Sequence, residues 1–403
     1  MEENPIVKLS DVCDLIPGFA FKSSEFGDYQ TKAVKIGDIQ PPYVNYVSMA
    51  GVDISKYAMC KLAKYEISKG DFVLAMTGAT IGKIGRYISD TSAYINQRVL
   101  KFKPHDDVNA DFIYYIVSSS SFLKYILNNI DSETAQPNIS AGSVGKYEFT
   151  LPSLEEQNRI ADVLVSIDSK IQINRQINDN LEQQAQALYK SWFIDFEPFK
   201  DCEFIESEFG LIPEAWRVGA LSDLAEITMG QSPSGKSYNE NGDGMLFYQG
   251  RAEFGDRYPS IRLYTTEPSR IAEQNSVLLS VRAPVGDTNI AYNKCCIGRG
   301  LASIKAKHGF NSFIFYMIKS LKDQFDLYNG EGTVFGSINR DSLNSMKVIV
   351  PSNDVINDFE KIVAPLDLKY KSLFNENLLL TQQRDTLLPK LMSGELKINE
   401  IDC

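Results

Sequence analysis

Residues 152–196, PSLEEQNRIADVLVSIDSKIQINRQINDNLEQQAQALYKSWFIDF, decide the fold of this chain. They predict a helix start, because Ser153 can cap a helix and Glu156 can complete a capping box. Mostly apolar residues then follow at alternating spacings of four and three, with no Gly or Pro between them. This seam predicts a coiled coil, and it comprises Ile160, Leu164, Ile167, Ile171, Asn174, Asn178, Leu181, Ala185, Leu188 and Trp192.

The seam recurs about 200 residues later, which indicates a duplicated unit of one domain and one helix. The second seam comprises Phe359, Val363, Leu366, Tyr370, Leu373, Asn377, Leu380, Arg384, Leu387 and Leu391. Asn178 and Asn377 occupy the same seam position, where a buried Asn fixes register and partner. We expect the two helices to pair with each other, antiparallel because a whole domain separates them. The two Asn residues then lie close together, or each lies opposite another seam residue.

The composition is that of an ordinary globular protein with two or three domains: 403 residues, 43% hydrophobic and 23% charged. The chain has no apolar run of about 18 residues and no signal-peptide pattern, which predicts a cytoplasmic protein without a membrane segment. The net charge of −11 argues against indiscriminate coating of nucleic acid, although a local basic cluster suffices for a DNA-recognition protein. Six cysteines without CxxC spacing and only two histidines argue against a metal site and favour reduced, buried thiols.

The duplication predicts an α+β fold, in which two mixed α/β domains are separated by two long helices that form an antiparallel coiled coil. The predicted boundaries are residues 1–151 for the first domain, 152–200 for the first coiled-coil helix, 201–350 for a connector and the second domain, and 351–403 for the second helix. Within the first domain we predict strands at residues 34–39, 70–76, 98–102 and 146–151, and one helix over residues 111–127. Pro365 interrupts the second helical pattern, so we expect a break or a kink there.

Two short motifs resemble catalytic signatures but depart from them. Gln40-Pro41-Pro42-Tyr43 nearly matches the [DN]PP[YF] motif of amino-group methyltransferases. However, the Gln side chain is longer than the Asp or Asn of that motif, and the sequence shows no glycine-rich AdoMet loop. We therefore interpret this motif as a turn. Gly78 to Lys83 resembles a phosphate loop with one residue too few between its glycines, which favours a turn whose N–H groups face a DNA phosphate. No Ser-His-Asp arrangement, carboxylate pair or metal-ligand cluster is apparent.

The loops differ more between the two copies than the strand cores and seams do, which suggests two related but different ligands. These loops contain side chains suited to DNA, since Arg and Lys bind guanine edges and phosphates and Asn and Gln bind adenine. Exposed loops are commonly polar in any protein, so no single residue is diagnostic. The candidates are Lys22, Thr77, Thr80, Lys83, Gln97, Arg98, Gln136 and Asn138 in the first copy, and Gln231, Lys236, Gln249, Arg251, Arg282, Arg299, Asn339 and Arg340 in the second.

The chain resembles the DNA-specificity subunits of Type I restriction–modification enzymes over essentially its whole length. The resemblance rests on the order of several motifs within a doubled chain: residues 77–83 (TGATIGK), 151–157 (LPSLEEQ), 210–216 (GLIPEAW) and 388–396 (LPKLMSGEL). It implies two target-recognition domains held apart by an antiparallel pair of coils. It also implies a chain without catalysis or a cofactor of its own.

The resemblance further implies partners. Two modification subunits would dock on the coils, bring AdoMet and methylate adenine N6 in double-stranded DNA, and two restriction subunits could join them. Two other classes of function are open from the residues alone. A self-contained methyltransferase or nuclease should show a catalytic motif, and a coiled-coil adaptor that recognises no DNA does not explain the divergent basic loops.

Overall fold

The computed structural model describes residues 4–130, 137–329, 336–393 and 395–396. Contacts divide the chain into two compact units, residues 1–173 with 376–403, and residues 174–375. Each unit contains one domain and parts of both long helices.

The first domain consists of short strands and short helices, followed by a long helix. The strands are β1 (Ile6–Lys8), β2 (Cys13–Pro17), β3 (Phe26–Val34), β4 (Ile39–Gln40), β5 (Tyr43–Val44), β6 (Ala50–Val52), β7 (Glu66–Ile67), β8 (Phe72–Ala75), β9 (Ile84–Arg86), β10 (Ala93–Ile95), β11 (Val99–Pro104) and β12 (Glu148–Thr150). The helices are α1 (Leu9–Val12), α2 (Met59–Leu62), α3 (Ala110–Ser118), α4 (Ser120–Asn128), α5 (Ala141–Gly145) and the long α6 (Leu154–Phe193).

The second domain follows the same plan after a hairpin. Its strands are β13 (Phe204–Ser207), β14 (Gly210–Pro213), β15 (Arg217–Ala220), β16 (Ala225–Met229), β17 (Tyr238–Asn239), β18 (Met245–Tyr248), β19 (Tyr264–Thr265), β20 (Ile271–Ala272), β21 (Val277–Ser280), β22 (Thr288–Ile290), β23 (Cys295–Ile297), β24 (Leu301–Ala306) and β25 (Lys347–Val350). Its helices are α7 (Leu221–Leu224), α8 (Asn311–Ser320), α9 (Lys322–Asp326), α10 (Arg340–Asn344) and the long α11 (Asn353–Ser393).

The strand pairing repeats from one domain to the other. In the first domain β11 lies antiparallel between β2 and β8, and in the second β24 lies antiparallel between β16 and β21. A parallel pair recurs as well, β10 with β3 and β23 with β18. The strands at which the chain enters and leaves a domain also pair, β1 with β12 and β15 with β25. The predicted α+β fold with a tandem repeat is confirmed.

Two predictions of local structure in the first domain are wrong. Residues 34–39 are not one strand, because a 3₁₀ turn over Ile36–Asp38 follows β3, and the Asp38 carboxylate accepts the Lys35 N–H at 2.8 Å. Residues 111–127 are two helices rather than one. The Ser119 hydroxyl accepts the Phe122 N–H at 3.2 Å and caps α4 where α3 ends. In both places a side chain competes with the regular backbone hydrogen bonds, as Asp and Ser often do.

The first long helix begins with the cap that its sequence predicts. The Ser153 hydroxyl accepts the Glu156 N–H at 3.3 Å at the start of α6. Of the break or kink predicted at Pro365, the break is wrong, because α11 is continuous from Asn353 to Ser393. The kink stays a prediction. Proline removes one N–H donor from a helix. The buried residues Val363 and Tyr370 flank it: Val363 belongs to the core of the second unit, and the Tyr370 ring packs 6.1 Å from that of Tyr258.

Each unit buries its own part of the seam. In the first unit Ile160 and Leu164 of α6 share a buried cluster with Leu388 and Leu391 of α11. Further along α6, Asp168 forms an ion pair with Arg384 of α11 at 2.8 Å. Three residues later, the Ile171 carbonyl oxygen accepts the Asn377 side-chain N–H at 3.4 Å. Higher numbers on α6 therefore match lower numbers on α11, and the pairing is antiparallel.

In the second unit the seam is aromatic: the Phe359 ring lies 6.0 Å from that of Tyr189, 5.9 Å from Trp192 and 5.1 Å from Phe193. Over the described residues, no seam position in either helix is exposed. In the same part of the chain, no helix is long and apolar enough to cross a membrane.

The cysteines depart in part from the prediction of buried thiols. Cys13, Cys295 and Cys296 are buried, but Cys60 and Cys202 are exposed. Burial raises the pKa of the Cys13 thiol to about 12, and that of Cys295 to about 12 as well.

Candidate nucleic-acid interface

Four loops of the first domain meet at one end of its sheets. This first loop cluster comprises residues 18–23, 77–83, 96–98 and 137–138. Backbone hydrogen bonds join the loops in a row: the Gln97 N–H donates to Phe19 O at 2.8 Å, the Met76 N–H to Arg98 O at 2.9 Å, and the Ile139 N–H to Met76 O at 3.1 Å. The strands thus present the ends of four separate chain segments as one surface.

The second domain repeats this arrangement. Its second loop cluster comprises residues 230–236, 282–287, 298–300 and 336–340. The Gln231 N–H donates to Ile297 O at 3.0 Å, the Val281 N–H to Gly300 O at 2.9 Å, and the Ile338 N–H to Val281 O at 3.1 Å. The isolated bridge between residues 77 and 138 of the first cluster also recurs, between residues 282 and 337. One scaffold therefore holds both loop sets.

Glycine is required at the same contact in both clusters. A Cβ added to Gly18 would lie 2.1 Å from Asn96 O, and one added to Gly230 would lie 2.1 Å from Gly298 O. No side chain fits at such distances, so two loops can approach this closely only at glycine. The matching glycines keep the clusters alike although the surrounding residues differ.

The long polar side chains of the first cluster point to solvent. Lys83 follows Gly82, whose φ of +85° makes the turn that exposes it. Arg98 adopts φ of +70°, a conformation that few residues other than glycine use, in the turn held by the Met76 N–H. The exposed candidates here are Lys22, Lys83, Gln97 and Arg98.

Three shorter candidates line the inner side of the first cluster. Thr77 is buried, and its hydroxyl has no hydrogen-bond partner among the described residues. The Thr80 hydroxyl donates to Thr77 O at 3.3 Å, and Asn138 is half-buried beside them. Gln136 lies outside the described residues.

The second cluster has a different set of side chains. Its exposed candidates are Gln231, Lys236, Arg282, Arg299, Asn339 and Arg340, with Gln249 nearby at the end of β18. The Ser232 hydroxyl accepts the Arg299 N–H at 3.3 Å, which fixes the backbone that carries the guanidinium. Asn339 also stabilises the local fold, because its side-chain oxygen accepts the Ser342 N–H at 2.8 Å and caps α10.

Arg251 is less available than the sequence predicts. It forms an ion pair with Asp287 and lines a cavity of about 610 Å³, together with Lys319 and Lys322. Each of these two lysines also contacts a carboxylate. The cavity is therefore basic in residue type but internally neutralised.

The two glycine turns have opposite charge at equivalent places. Lys83 follows Gly82 in the first domain, and Asp287 follows Gly286 in the second. A phosphate contact at this turn is thus possible in the first cluster, while in the second it needs a neighbouring cation.

The methyltransferase-like motif is a hairpin turn. Gln40 pairs with Tyr43 between β4 and β5, and the Gln40 amide oxygen accepts the Asn45 side-chain N–H at 3.3 Å. Among the described residues, no three His, Cys, Asp or Glu side chains come together as metal ligands.

Sequence reasoning missed the residues that attach each domain to its helix. The Tyr115 hydroxyl donates to Asp168 of α6 at 2.8 Å, and the Tyr316 hydroxyl donates to Asp367 of α11 at 2.8 Å. Both pairs occupy equivalent places in the duplication. A search of the two copies for identical polar residues on helix faces could have found them.

Two copies of one domain with different polar loops, each attached to a long helix, define a tandem-domain recognition protein. A profile of the family described as Type I restriction modification DNA specificity domain matches residues 1–183 and again residues 213–367. The chain belongs to this family.

Curated relatives span nearly the whole chain. It is 31% identical over 373 residues to the type I restriction enzyme MjaX specificity subunit of Methanocaldococcus jannaschii, covering 88% of this chain and 86% of the relative. It is 25% identical over 442 residues to the type I restriction enzyme HindI specificity subunit of Haemophilus influenzae, covering 88% and 95%. The type I restriction–modification S subunit from M. genitalium shares the fold, with a TM-score of 0.58, 16% identity and 96% coverage of both chains.

Membership of this family gives the chain the role of DNA sequence specificity in a type I restriction–modification system, and not that of its catalytic subunits. Specificity subunits work with modification subunits, restriction subunits and DNA.

Proposed function

We propose that the chain recognises a split, asymmetric DNA site, with one half read by each loop cluster and unread bases between the halves. The observation that supports this most is the repetition of one four-loop scaffold with different side chains, Lys83 and Gln97 in the first cluster against Arg282 and Arg299 in the second. Equal scaffolds dock in the same way, and unequal side chains select different bases. Half-site centres about one helical turn apart, 10–10.5 base pairs, place both clusters on one side of the duplex.

In this proposal, partner subunits supply the methyltransferase activity. Two modification subunits dock on the long helices, bring AdoMet and methylate adenine N6, and two restriction subunits join the same assembly; this chain binds no cofactor. Exposed apolar residues on α11 support docking there. Ile362 and Leu368 are 46% and 67% exposed in the second unit, and Leu378 and Leu379 are 53% and 61% exposed in the first. Exposed apolar residues in such groups are typical of protein interfaces.

Domain exchange tests the half-site proposal. Residues 1–151 are replaced by the equivalent domain of a relative, and methylated sites in the host are mapped by single-molecule sequencing. The exchange is structurally feasible because β1 pairs with β12, so the ends of the domain lie side by side. We expect one half-site to change and the other to stay.

The matched control replaces residues 201–350 and should change only the other half. A change of both halves by either exchange would contradict the assignment of one half-site to each domain.

The division of labour has its own test. The purified chain is incubated with labelled AdoMet and DNA carrying the mapped site, with and without the modification subunit. We expect methyl transfer only in the mixture. Transfer by the chain alone would reject the proposal.

A further inference from the structure

The second domain holds a buried cation against its long helix. The Arg257 side chain is 1% exposed, and its guanidinium donates to Asp367 of α11 at 2.5 Å and to the Tyr316 hydroxyl at 3.2 Å. The same guanidinium lies 4.5 Å from the centre of the Tyr370 ring and 4.7 Å from that of Phe315. All these groups belong to the second unit.

The segment that carries Arg257 also reaches the second loop cluster. Arg257 O accepts the Ile290 N–H at 2.9 Å, and Gly255 exchanges two hydrogen bonds with the Asn289 side chain. Asn289 lies two residues beyond Asp287, the partner of Arg251 in that cluster. These contacts therefore connect α11 with β22, which begins directly after the 282–287 loop of the second cluster.

The first domain uses equivalent residues differently. Asp168 occupies the place of Asp367 and also accepts a tyrosine hydroxyl, that of Tyr115. Its arginine partner, however, is Arg384, which comes from α11 and not from the domain. The Asp168 carboxylate thus forms an ion pair between the two long helices, whereas the Asp367 carboxylate forms one between the second domain and α11.

We propose that the Arg257–Asp367 ion pair is a positioning device that fixes the orientation of the second loop cluster on α11, and thereby the range of spacer lengths that the chain accepts between half-sites. This inference rests on the proposed two-part DNA recognition. Changing a spacer by one base pair shifts a half-site by about 3.4 Å and turns it by roughly 35° around the duplex. A domain held to α11 by this partly buried ion pair resists such a shift, and a loosened domain follows it more readily.

The test is selection of DNA by the full chain from a library in which both half-sites and the spacer are randomised. Asp367→Asn removes the charge but keeps the size. We expect the preferred spacer to lose its advantage over spacers one base pair longer or shorter, while both half-site sequences stay unchanged. Asp358→Asn, at an exposed carboxylate of α11 paired with Lys361 at 2.8 Å, is the matched control, and it should leave the spacer distribution narrow.

A second variant separates positioning from stability, because Asp367→Asn leaves Arg257 buried without a counter-charge. Arg257→Met with Asp367→Leu replaces the ion pair by apolar groups, which often preserves stability. Broadened spacers in this folded variant would support the proposal. A wild-type spacer distribution in it, or equal broadening by Asp358→Asn, would overturn the proposal. Failure of the wild-type chain to enrich any half-site would instead reject the two-part recognition itself.

Discussion

The first and second domains share their strand pairing and a Tyr–Asp contact with a long helix, but the long helices are packed against each other by different side chains in the two units. The first unit packs aliphatic residues at this junction, with Ile160 and Leu164 against Leu388. The second unit packs aromatic rings there, with the Phe359 ring next to those of Phe193 and Tyr189. The topology and the buried positions are common to the copies, whereas the residues that fill them are not. A duplicated scaffold tolerates such divergence because burial and shape, not residue identity, hold it together.

The largest expected effect comes from the aromatic packing around Phe359, which we expect to stabilise the second unit. Phe359→Ala should lower the free energy of unfolding of this unit by about 3–5 kcal/mol, because it removes a fully buried ring between Tyr189 and Phe313. Hydrogen exchange measured by residue should rise over residues 174–375. Ile362→Ala, at an exposed position of the same helix, is the control and should change little. Equal destabilisation by both would show that the junction is not the anchor.

A second prediction concerns base recognition in the second cluster. Arg299→Ala should reduce discrimination at one position of one half-site by about 1–3 kcal/mol, because a guanidinium on a short turn can bind a guanine edge. Competition binding on cognate DNA and on each single-base variant measures this. Arg217→Ala, which removes an exposed arginine paired with Asp223, is the control. Equal loss on cognate and scrambled DNA would remove the claim for Arg299.

The opposite charges on the two glycine turns lead to a third prediction. Lys83→Ala should weaken binding to all sequences and lower the salt slope by about one, because one phosphate contact is lost. Asp287→Asn should strengthen binding and steepen the slope, since it releases Arg251. The salt dependence of binding is measured for both. Lys69→Ala, at an exposed lysine paired with Asp90, should leave the slope unchanged; a shallower slope for Asp287→Asn would contradict the idea.

The smallest expected effect comes from the contacts that the long helices make with the starts of α3 and α8. Gln157 accepts the Asn109 N–H at 2.9 Å in the first unit, and Glu360 accepts the Phe313 N–H at 2.8 Å in the second. Burial raises the pKa of the Glu360 carboxyl, so its ionised form opposes folding. Glu360→Gln should therefore stabilise the second unit at neutral pH by roughly 1 kcal/mol or less.

The sign of this effect sets its pH dependence. The folded state binds the Glu360 proton more tightly than the unfolded state, so the cost in the wild type is present above the raised pKa and fades as the pH falls through it. Denaturant unfolding at several pH values should show the two proteins converging on acidification. A gain that is the same at every pH would rule out the charge as its cause.

The sequence predicted the features that depend on periodicity and repetition. The seams, the start of α6 at Ser153 and the duplication follow from patterns along the chain. Features that depend on competing local contacts were not predictable in this way. Ser119 divides a helical pattern by capping, and α11 continues through Pro365 because tertiary packing outweighs one lost hydrogen bond.

The loop candidates remain predictions, and their arrangement explains why sequence alone was insufficient. Loops far apart in the chain become neighbours only through strand pairing, as the hydrogen bond from the Gln97 N–H to Phe19 O illustrates. The pairing of Arg251 with Asp287 likewise joins residues on different segments. A sequence pattern reveals the residue types in a loop, but not which neighbours neutralise them.

The packing of Leu388 and Leu391 against Ile160 has a consequence for synthesis of the chain. The core of the first unit is completed by residues 376–393, which leave the ribosome after the whole second unit. At about 5–20 residues per second, the intervening segment of about 200 residues takes roughly 10–40 s to translate. Throughout that time the nascent first domain exposes the apolar surface of Ile160 and Leu164. The unit whose domain is made first is therefore completed last.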